Sequence, residues 1–425
     1  MDKAMRIVSV FRFLSIATIT TISLCNGNLG VPCKQNKRQA LLMFKQDLKD
    51  HSNRLLSWVG GGRLLQLDWT GHVRELHLGN YYSDEYLNYS LYQESSLGGK
   101  VNTSLLNLKH LSYMDLSNND FGGIQIPSFL GSLKSLRYLN LSDSKFAGII
   151  PHQLGNLSSL RSLGLRRKSY YVVDEGWESP MAFWSFELAE PGHECVDLSK
   201  ASDWFQVTNT LPSMLVELHM SGCELNQIPV GVGVADMTRL KVVNLRWNII
   251  WGTVPQWLYT CSNLESLSLY LNLLRGEISS SIGNLTAIVN LDLSANQIEG
   301  KMRNLLGNLC KLTVLDLSRN YFNGSVSEIL GSLSRCSSGQ MESPKLSTND
   351  FSGPLSDQLG NLRHLRLLAL LSNSISGPIP MSLRNLSFLE EASISENHFN
   401  GTLPKTTGQL KMVRVAYVKS TAGGL

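Results

Sequence analysis

Leu240, Leu264, Ile288 and Leu312 each open the same phrase, L-x-x-L-x-L-x-x-N, and each step between them (264−240, 288−264, 312−288) is 24 residues. The phrase reads LKVVNLRWN, LESLSLYLN, IVNLDLSAN and LTVLDLSRN. A fixed period of this length means that one short unit stacks on copies of itself, since such a unit cannot bury its apolar face alone. Because each unit touches only its neighbours, a single array can run to the full 425 residues. An array of this kind offers a long open face and no catalytic pocket, so the period points to recognition.

Inside each unit, L-x-L predicts a short strand with its leucines turned inward and its x residues on the concave face. The Asn that follows has two amide donors and an acceptor. Stacked copies at Asn119, Asn248, Asn272, Asn296, Asn320, Asn349, Asn373 and Asn397 can therefore satisfy the backbone at each bend. Ser144, Lys168 and Cys223 occupy the same slot, which makes Cys223 a structural filler and not a reactive thiol. A second phrase then recurs, as in FAGIIP, IWGTVP and ISGPIP. Its Gly permits a turn that a side chain would obstruct, and its Pro, lacking an N–H, suits the end of an unpaired edge segment. The S-L-G-N-L that follows reads as a short helical or irregular return.

The array starts with VRELHLGN at 73–80 and continues at Leu111, Leu136 and Leu160. The first gap, 111−73 = 38, implies an insertion in the Tyr-rich stretch YYSDEYLNYSLYQ. The next clear start, Leu215, lies 215−160 = 55 residues on, with one degenerate unit near HECVDL. Met341 comes 341−312 = 29 residues after Leu312, followed by Leu365, Leu389 and Val413. The expected organisation is a signal peptide over 1–27, a cap over 33–72, and about fourteen repeats over 73–425, irregular at 81–110, 169–213 and 333–345. In the cap, NKRQALLMFKQDLKD predicts a helix with Leu41, Phe44 and Leu48 on one face and an Asn36/Gln39 capping pair. Such a helix would cover the open end of the array.

Lys3 and Arg6 precede an apolar and hydroxyl-rich run from Ile7 to Cys25, which reads as a secretory signal cut near Gly27. No later stretch is apolar for about twenty residues, so the chain as written is expected to be secreted and not anchored. Eight N-x-S/T sequons agree with that route, at Asn88, Asn102, Asn140, Asn156, Asn284, Asn323, Asn385 and Asn400. The seven cysteines show no C-x-x-C spacing and no histidine partner at metal-ligand spacing, so neither metal nor cofactor is expected. Some of them can pair in an oxidising compartment, in an order the spacing leaves open. With 17% charged residues, a net charge of +4 and no basic run, nucleic acid is not the expected partner. There is no G-x-S-x-G, H-E-x-x-H, P-loop or kinase motif, and GVGVAD at 231–236 departs from the dinucleotide pattern at Asp236. No enzymatic activity is expected.

LRLLALLSNSISGPIPMSLRNLSF at 365–388 resembles the plant-type leucine-rich repeat. CKQNKRQALLMFKQDLKD, beginning at Cys33, looks like the plant-specific cap that precedes such arrays. SKASDWFQVTNTLPSMLVELHMSGCELNQIP at 199–229 is similar to the plant receptor-like proteins, a group that includes cell-surface receptors for fungal xylanase and related immune receptors. The resemblance implies an α/β repeat solenoid, a right-handed superhelix with a parallel concave sheet and an N-terminal helical cap. It also implies a secreted ectodomain in pathogen perception or defence, at the outer face of the plasma membrane, which signals through partner co-receptor kinases. Two departures stand out. GGRLLQLDWTGHV carries Trp69 and Gly71 but none of the cysteines of family caps, and the chain ends at Leu425 inside a repeat, as a truncated member would. Two alternatives stay open: a secreted cell-wall inhibitor of a pathogen's glycan-degrading enzyme, and a truncated, non-functional relict.

Most strands of the concave face repeat D-L-S or N-L-S, with Asp115, Asn140, Asp292 and Asp316 read as a solvated default. The exceptions, Arg166, Arg167, His219, Arg246, Trp247 and Tyr270, are the expected contacts for a protein, peptide or glycan ligand. Arginine and aromatic side chains dominate binding energy at interfaces.

Overall fold

The computed structural model describes residues 33–55, 64–80, 94–166, 198, 214–226, 237–302, 304–336, 340–400 and 414–416. The signal peptide, Lys168 and Arg167 lie outside the described residues, as does the sequon at Asn88. The chain forms two compact units: Met1–Lys168 with Glu190–Leu215, and Ser169–Ala189 with Val216–Leu425.

In the N-terminal unit, α1 (Gln35–Gln46) buries Ala40, Leu41 and Phe44 against the first repeat. Its N-cap is Lys34 with no side-chain cap bond, so the expected Asn36/Gln39 pair does not form. Leu48, placed on the helix by its spacing, opens strand β1 (Leu48–Asp50) instead, because the helix ends at the αR residue Asp47. Next come β2 (Leu65–Leu67), β3 (Val73–His77), β4 (Leu97–Gly99), β5 (Tyr113–Asp115), β6 (Tyr138–Asn140) and β7 (Ser162–Gly164). β1 pairs antiparallel with β4, so part of the stretch read as irregular, 81–110, is a strand that closes the cap. β2 runs antiparallel to β3, and β3, β5, β6 and β7 then follow in parallel. Arg54 ties cap to repeats: its guanidinium donates to the carbonyls of Ser95, Leu78 and Gly79 and to Asn119 Oδ1 at 2.8–3.1 Å.

The C-terminal unit has two parallel sheets. The inner one contains β8 (Glu217–His219), β9 (Val242–Asn244), β11 (Ser266–Ser268), β13 (Asn290–Asp292), β15 (Val314–Asp316), β17 (Ser343–Lys345), β19 (Leu367–Ala369), β21 (Glu391–Ser393) and β23 (Arg414–Ala416). Leu218, Val243, Leu267, Leu291, Leu315, Pro344, Leu368, Ala392 and Val415 mark the same inward register in turn. The pairing of Ala392 with Val415 is a 23-residue step, so the last unit opens at Met412 and not at Val413. β17 sits in register with β15, which puts regular structure at the end of the stretch 333–345.

The second sheet corrects a sequence expectation. The Gly-Pro phrase was read as an unpaired edge, yet β10 (Trp251–Gly252), β12 (Leu273–Glu277), β14 (Gln297–Lys301), β16 (Tyr321–Ser325), β18 (Asp350–Gly353), β20 (Ser374–Pro378) and β22 (His398–Asn400) pair in parallel. Stacking supplies each segment with two neighbours that the linear phrase cannot reveal. Gly300 shows why the phrase needs glycine: its φ is +91°, and a Cβ there would lie 2.7 Å from Glu277 Cγ. The prolines Pro127, Pro151, Pro255 and Pro380 instead stand as the N-cap of the 3-10 turns that form the return. One return differs: 326–333 forms a true α-helix, α2 (Val326–Leu333), followed by a disulfide from Cys336 to Cys310.

Packing follows from the phrase. Leu240, Leu264, Ile288 and Leu312 are all at most 2% exposed, and each such side chain contributes roughly 1.5–3 kcal/mol through burial. The asparagine slot works as expected. Asn248, Asn272, Asn320, Asn349, Asn373 and Asn397 are buried, and each donates to the carbonyl three residues back and to a carbonyl of the preceding unit. In the same slot Ser144 Oγ reaches Leu116 C=O at 2.6 Å, and buried Cys223 contacts Ser221 C=O through Sγ at 3.6 Å.

Candidate ligand-binding face

The open face of the C-terminal unit is built by three x positions of the phrase. The residue before the Asn adopts left-handed backbone in unit after unit: Gly222 (φ 68°), Trp247 (60°), Leu271 (54°), Ala295 (51°) and Arg319 (56°). A bulky residue is uncommon there. The conformation recurs whatever the side chain, so the fold imposes it, and the choice of tryptophan and arginine at two of these places is what distinguishes the face.

Trp247 and Tyr270 meet edge to face, with ring centroids 6.0 Å apart and planes at 74°. Their backbones are joined as well, the Trp247 N–H donating to the Tyr270 carbonyl at 2.8 Å. Burial raises the Tyr270 phenol pKa, and its surroundings are charged: Arg319 and Arg246 pull it down, Asp292 and Asp316 push it up. Lys345 Nζ lies 3.6 Å from Asp316 Oδ2. The result is a half-buried patch in which two aromatic rings sit among guanidinium and carboxylate groups, chemistry suited to hydrogen-bonding and stacking on a polar partner.

Of the residues expected from sequence, Arg246, Trp247 and Tyr270 come together here. His219 lies one strand away, in register with Asn244, and its ring is 3.9 Å from Glu217. Arg166 belongs to the N-terminal unit, where its backbone N–H donates to Ser142 Oγ at 3.1 Å. Sequence reading passed over Arg319, Asp292, Asp316 and Lys345. Reading each x position down the column of units, instead of along one unit, would have found them.

The D-L-S default also has a different basis from the one expected. Asp292 is not simply solvated: its Oδ1 accepts the N–H of Ser294 at 3.1 Å and the Ser294 hydroxyl, and its Oδ2 accepts from Ser268 Oγ at 3.0 Å. Asp115, Asn140 and Asp316 likewise accept the N–H two residues on, at 2.9–3.1 Å. The short acidic or amide side chain recurs because it caps a backbone donor where the strand ends.

Among the sequons, Asn156, Asn284, Asn323, Asn385 and Asn400 are exposed. The Asn102 amide donates to Met43 C=O at 3.0 Å and to Asp47 Oδ2 at 2.7 Å, and Asn140 accepts from Ser142 N–H on the open face. Among the described residues no group of His, Cys, Asp and Glu could hold a metal ion, and no helix is long and apolar enough to cross a membrane.

Stacked parallel strands, the buried asparagine ladder and two matches to leucine-rich-repeat families, at residues 109–168 and 311–333, define a leucine-rich-repeat protein. Its likeness is to the plant leucine-rich-repeat receptor-like proteins. It is 32% identical over 252 residues to the receptor-like protein EIX1 of Solanum lycopersicum, covering 57% of this chain and 24% of that one. It is 33% identical over 250 residues to EIX2 of the same plant, covering 56% and 23%. The chain thus spans about a quarter of the length of these relatives. Solved structures share the fold. The complex PEPR1-AtPEP1 gives a TM-score of 0.62 at 21% identity over 91% of this chain and 55% of that one. The ectodomain of the Arabidopsis thaliana receptor kinase GASSHO1/SCHENGEN3, in complex with CASPARIAN STRIP INTEGRITY FACTOR 2, gives 0.57 at 23% identity over 81% and 38%.

Proposed function

We propose that this chain is the ligand-recognition part of a plant cell-surface receptor-like protein in pathogen perception, with no catalysis of its own, which signals through a partner receptor kinase. The half-buried cluster of Arg246, Trp247, Tyr270 and Arg319 carries this reading, because an arginine–aromatic patch on an otherwise repetitive face is where binding energy concentrates. The likeness to EIX1 and EIX2 supports the receptor class. The ligand fits a secreted protein, peptide or glycan that lays polar groups along the inner strands. The exposed sequons Asn156, Asn284, Asn323, Asn385 and Asn400 are proposed glycan sites, consistent with an extracellular location.

The test passes a secreted filtrate of a fungal pathogen over the immobilised chain. Retention of a component by the natural sequence, lost in Arg246→Ala with Tyr270→Ala at unchanged melting temperature, supports the reading. Equal retention by both proteins sinks the assignment of the face. Inhibition of glycan-degrading activity in the same filtrate would favour the inhibitor reading instead.

A further inference from the structure

The second position of each L-x-x-L phrase forms a column along the rim of the inner strands, and the two units fill it differently. In the N-terminal unit it holds Arg74, Ser112, Arg137 and Arg161 on consecutive rungs. Ser112 N–H donates to Arg74 C=O, Arg137 N–H to Ser112 C=O, and Arg161 N–H to Arg137 C=O, each at 2.8 Å. In the C-terminal unit the same column neutralises itself, with Lys241 against Glu265 at 2.6 Å and Arg366 against Glu390 at 2.5 Å. Exposed Arg137 and Arg161 have no acidic partner among the described residues, and only Arg74 is matched, by Asp68 at 2.8 Å. Positive charge is also crowded at the cap end, where the Lys37 ammonium pKa is lowered by burial and then by Lys109 and Lys34.

An aromatic rail runs beside this basic one. His77 stacks on Tyr113 at 4.4 Å, and Tyr113 on Tyr138 at 4.2 Å with planes only 3° apart. Tyr113 and Tyr138 directly follow Ser112 and Arg137 in the chain, so the two rails run side by side. The acidic groups of this face are already engaged: Glu75 holds His77 at 2.8 Å, and buried Asp115 accepts the Ser117 N–H at 2.9 Å.

We propose that the rail of Arg74, Arg137 and Arg161, beside the Tyr113–Tyr138 stack, is a second binding surface, one that takes a linear acidic polysaccharide with a carboxylate on each sugar. Its rungs repeat at the roughly 4.8 Å spacing of a sheet, so the cations are periodic, as the anions of such a polymer are. Guanidinium forks accept carboxylates in bidentate fashion. The tyrosines spend their faces on one another and leave their edges and hydroxyls to meet sugar hydroxyls. An acidic peptide would need pockets for its alternate side chains, whereas these rails are regular. Several weak contacts along one polymer add through effective concentration. The surface lies within the N-terminal unit and is independent of the Arg246–Tyr270 face.

Binding of the full chain to polygalacturonate, to its fully methyl-esterified form and to poly-glutamate tests the proposal. Polygalacturonate should bind at low salt and release at high salt, and the esterified polymer should not bind. Arg137→Ala with Arg161→Ala should weaken binding about tenfold or more at unchanged melting temperature. Arg137→Gln with Arg161→Gln serves if the alanine pair perturbs folding. Lys241→Ala with Arg366→Ala, on the neutralised column, should leave affinity unchanged. Equal binding of the esterified polymer, poly-glutamate binding as tight as polygalacturonate, or an unaffected arginine pair would each overturn it.

Discussion

The Asn296 side chain reaches back one unit to donate to the Leu269 carbonyl at 3.0 Å. The same amide group donates to Leu293 C=O at 3.1 Å, and its Oδ1 accepts the Leu274 N–H, also at 3.1 Å. One side chain thereby closes three backbone groups that the bend would otherwise bury without partners.

Asn296→Ala should therefore lose about 3 kcal/mol, since each orphaned buried group costs about 1–3 kcal/mol. Asn296→Ser should lose less, because Ser144 holds the same slot in its own unit through a single bond to the preceding one. Urea unfolding of both variants checks the order, and equal losses would contradict it.

Leu291 is fully buried between β11 and β15. Leu291→Asp should cost about 4 kcal/mol or more, combining lost packing with an unpaired buried carboxylate. Leu291→Met conserves volume and should cost less than about 1.5 kcal/mol. An unchanged melting temperature for the aspartate variant would mean that the inward register is wrong.

Burial holds the Asp292 carboxyl pKa above its ordinary value, with Ser294 pulling it down and Asp316 pushing it up. The folded state therefore keeps a proton that the unfolded chain has already released. Stability should fall as pH rises from about 4, the ordinary aspartate value, through the raised pKa, and be greatest below that window. Asp292→Asn removes this part of the slope. Melting temperatures of both proteins across the window test it, and identical pH slopes would contradict it.

Cys310 and Cys336 are 26 residues apart and close the loop that contains α2. Replacing both with Ser should cost about 3 kcal/mol by loop entropy. A reductant should lower the midpoint of the natural sequence towards that of the variant and leave the variant unmoved; a midpoint insensitive to both changes would show that the bridge adds nothing.

The sequence by itself determined the repeating strand, the inward leucines and the asparagine ladder, because these depend on a period and on local hydrogen-bonding capacity that every copy carries. It also singled out Arg246, Trp247 and Tyr270 as departures from the repeat. Only the tertiary structure decided what lies across from what. Stacking turned the Gly-Pro phrase into a second parallel sheet, ended α1 at Gln46 so that Leu48 could pair with Gly99, and joined Cys310 to Cys336. It also brought Arg319 and Asp316 to Tyr270 from units that are remote in the chain. Pairings between units of a solenoid are set by the registry of whole units, and a residue's neighbours in the column stand about 24 positions away, beyond the reach of any local pattern.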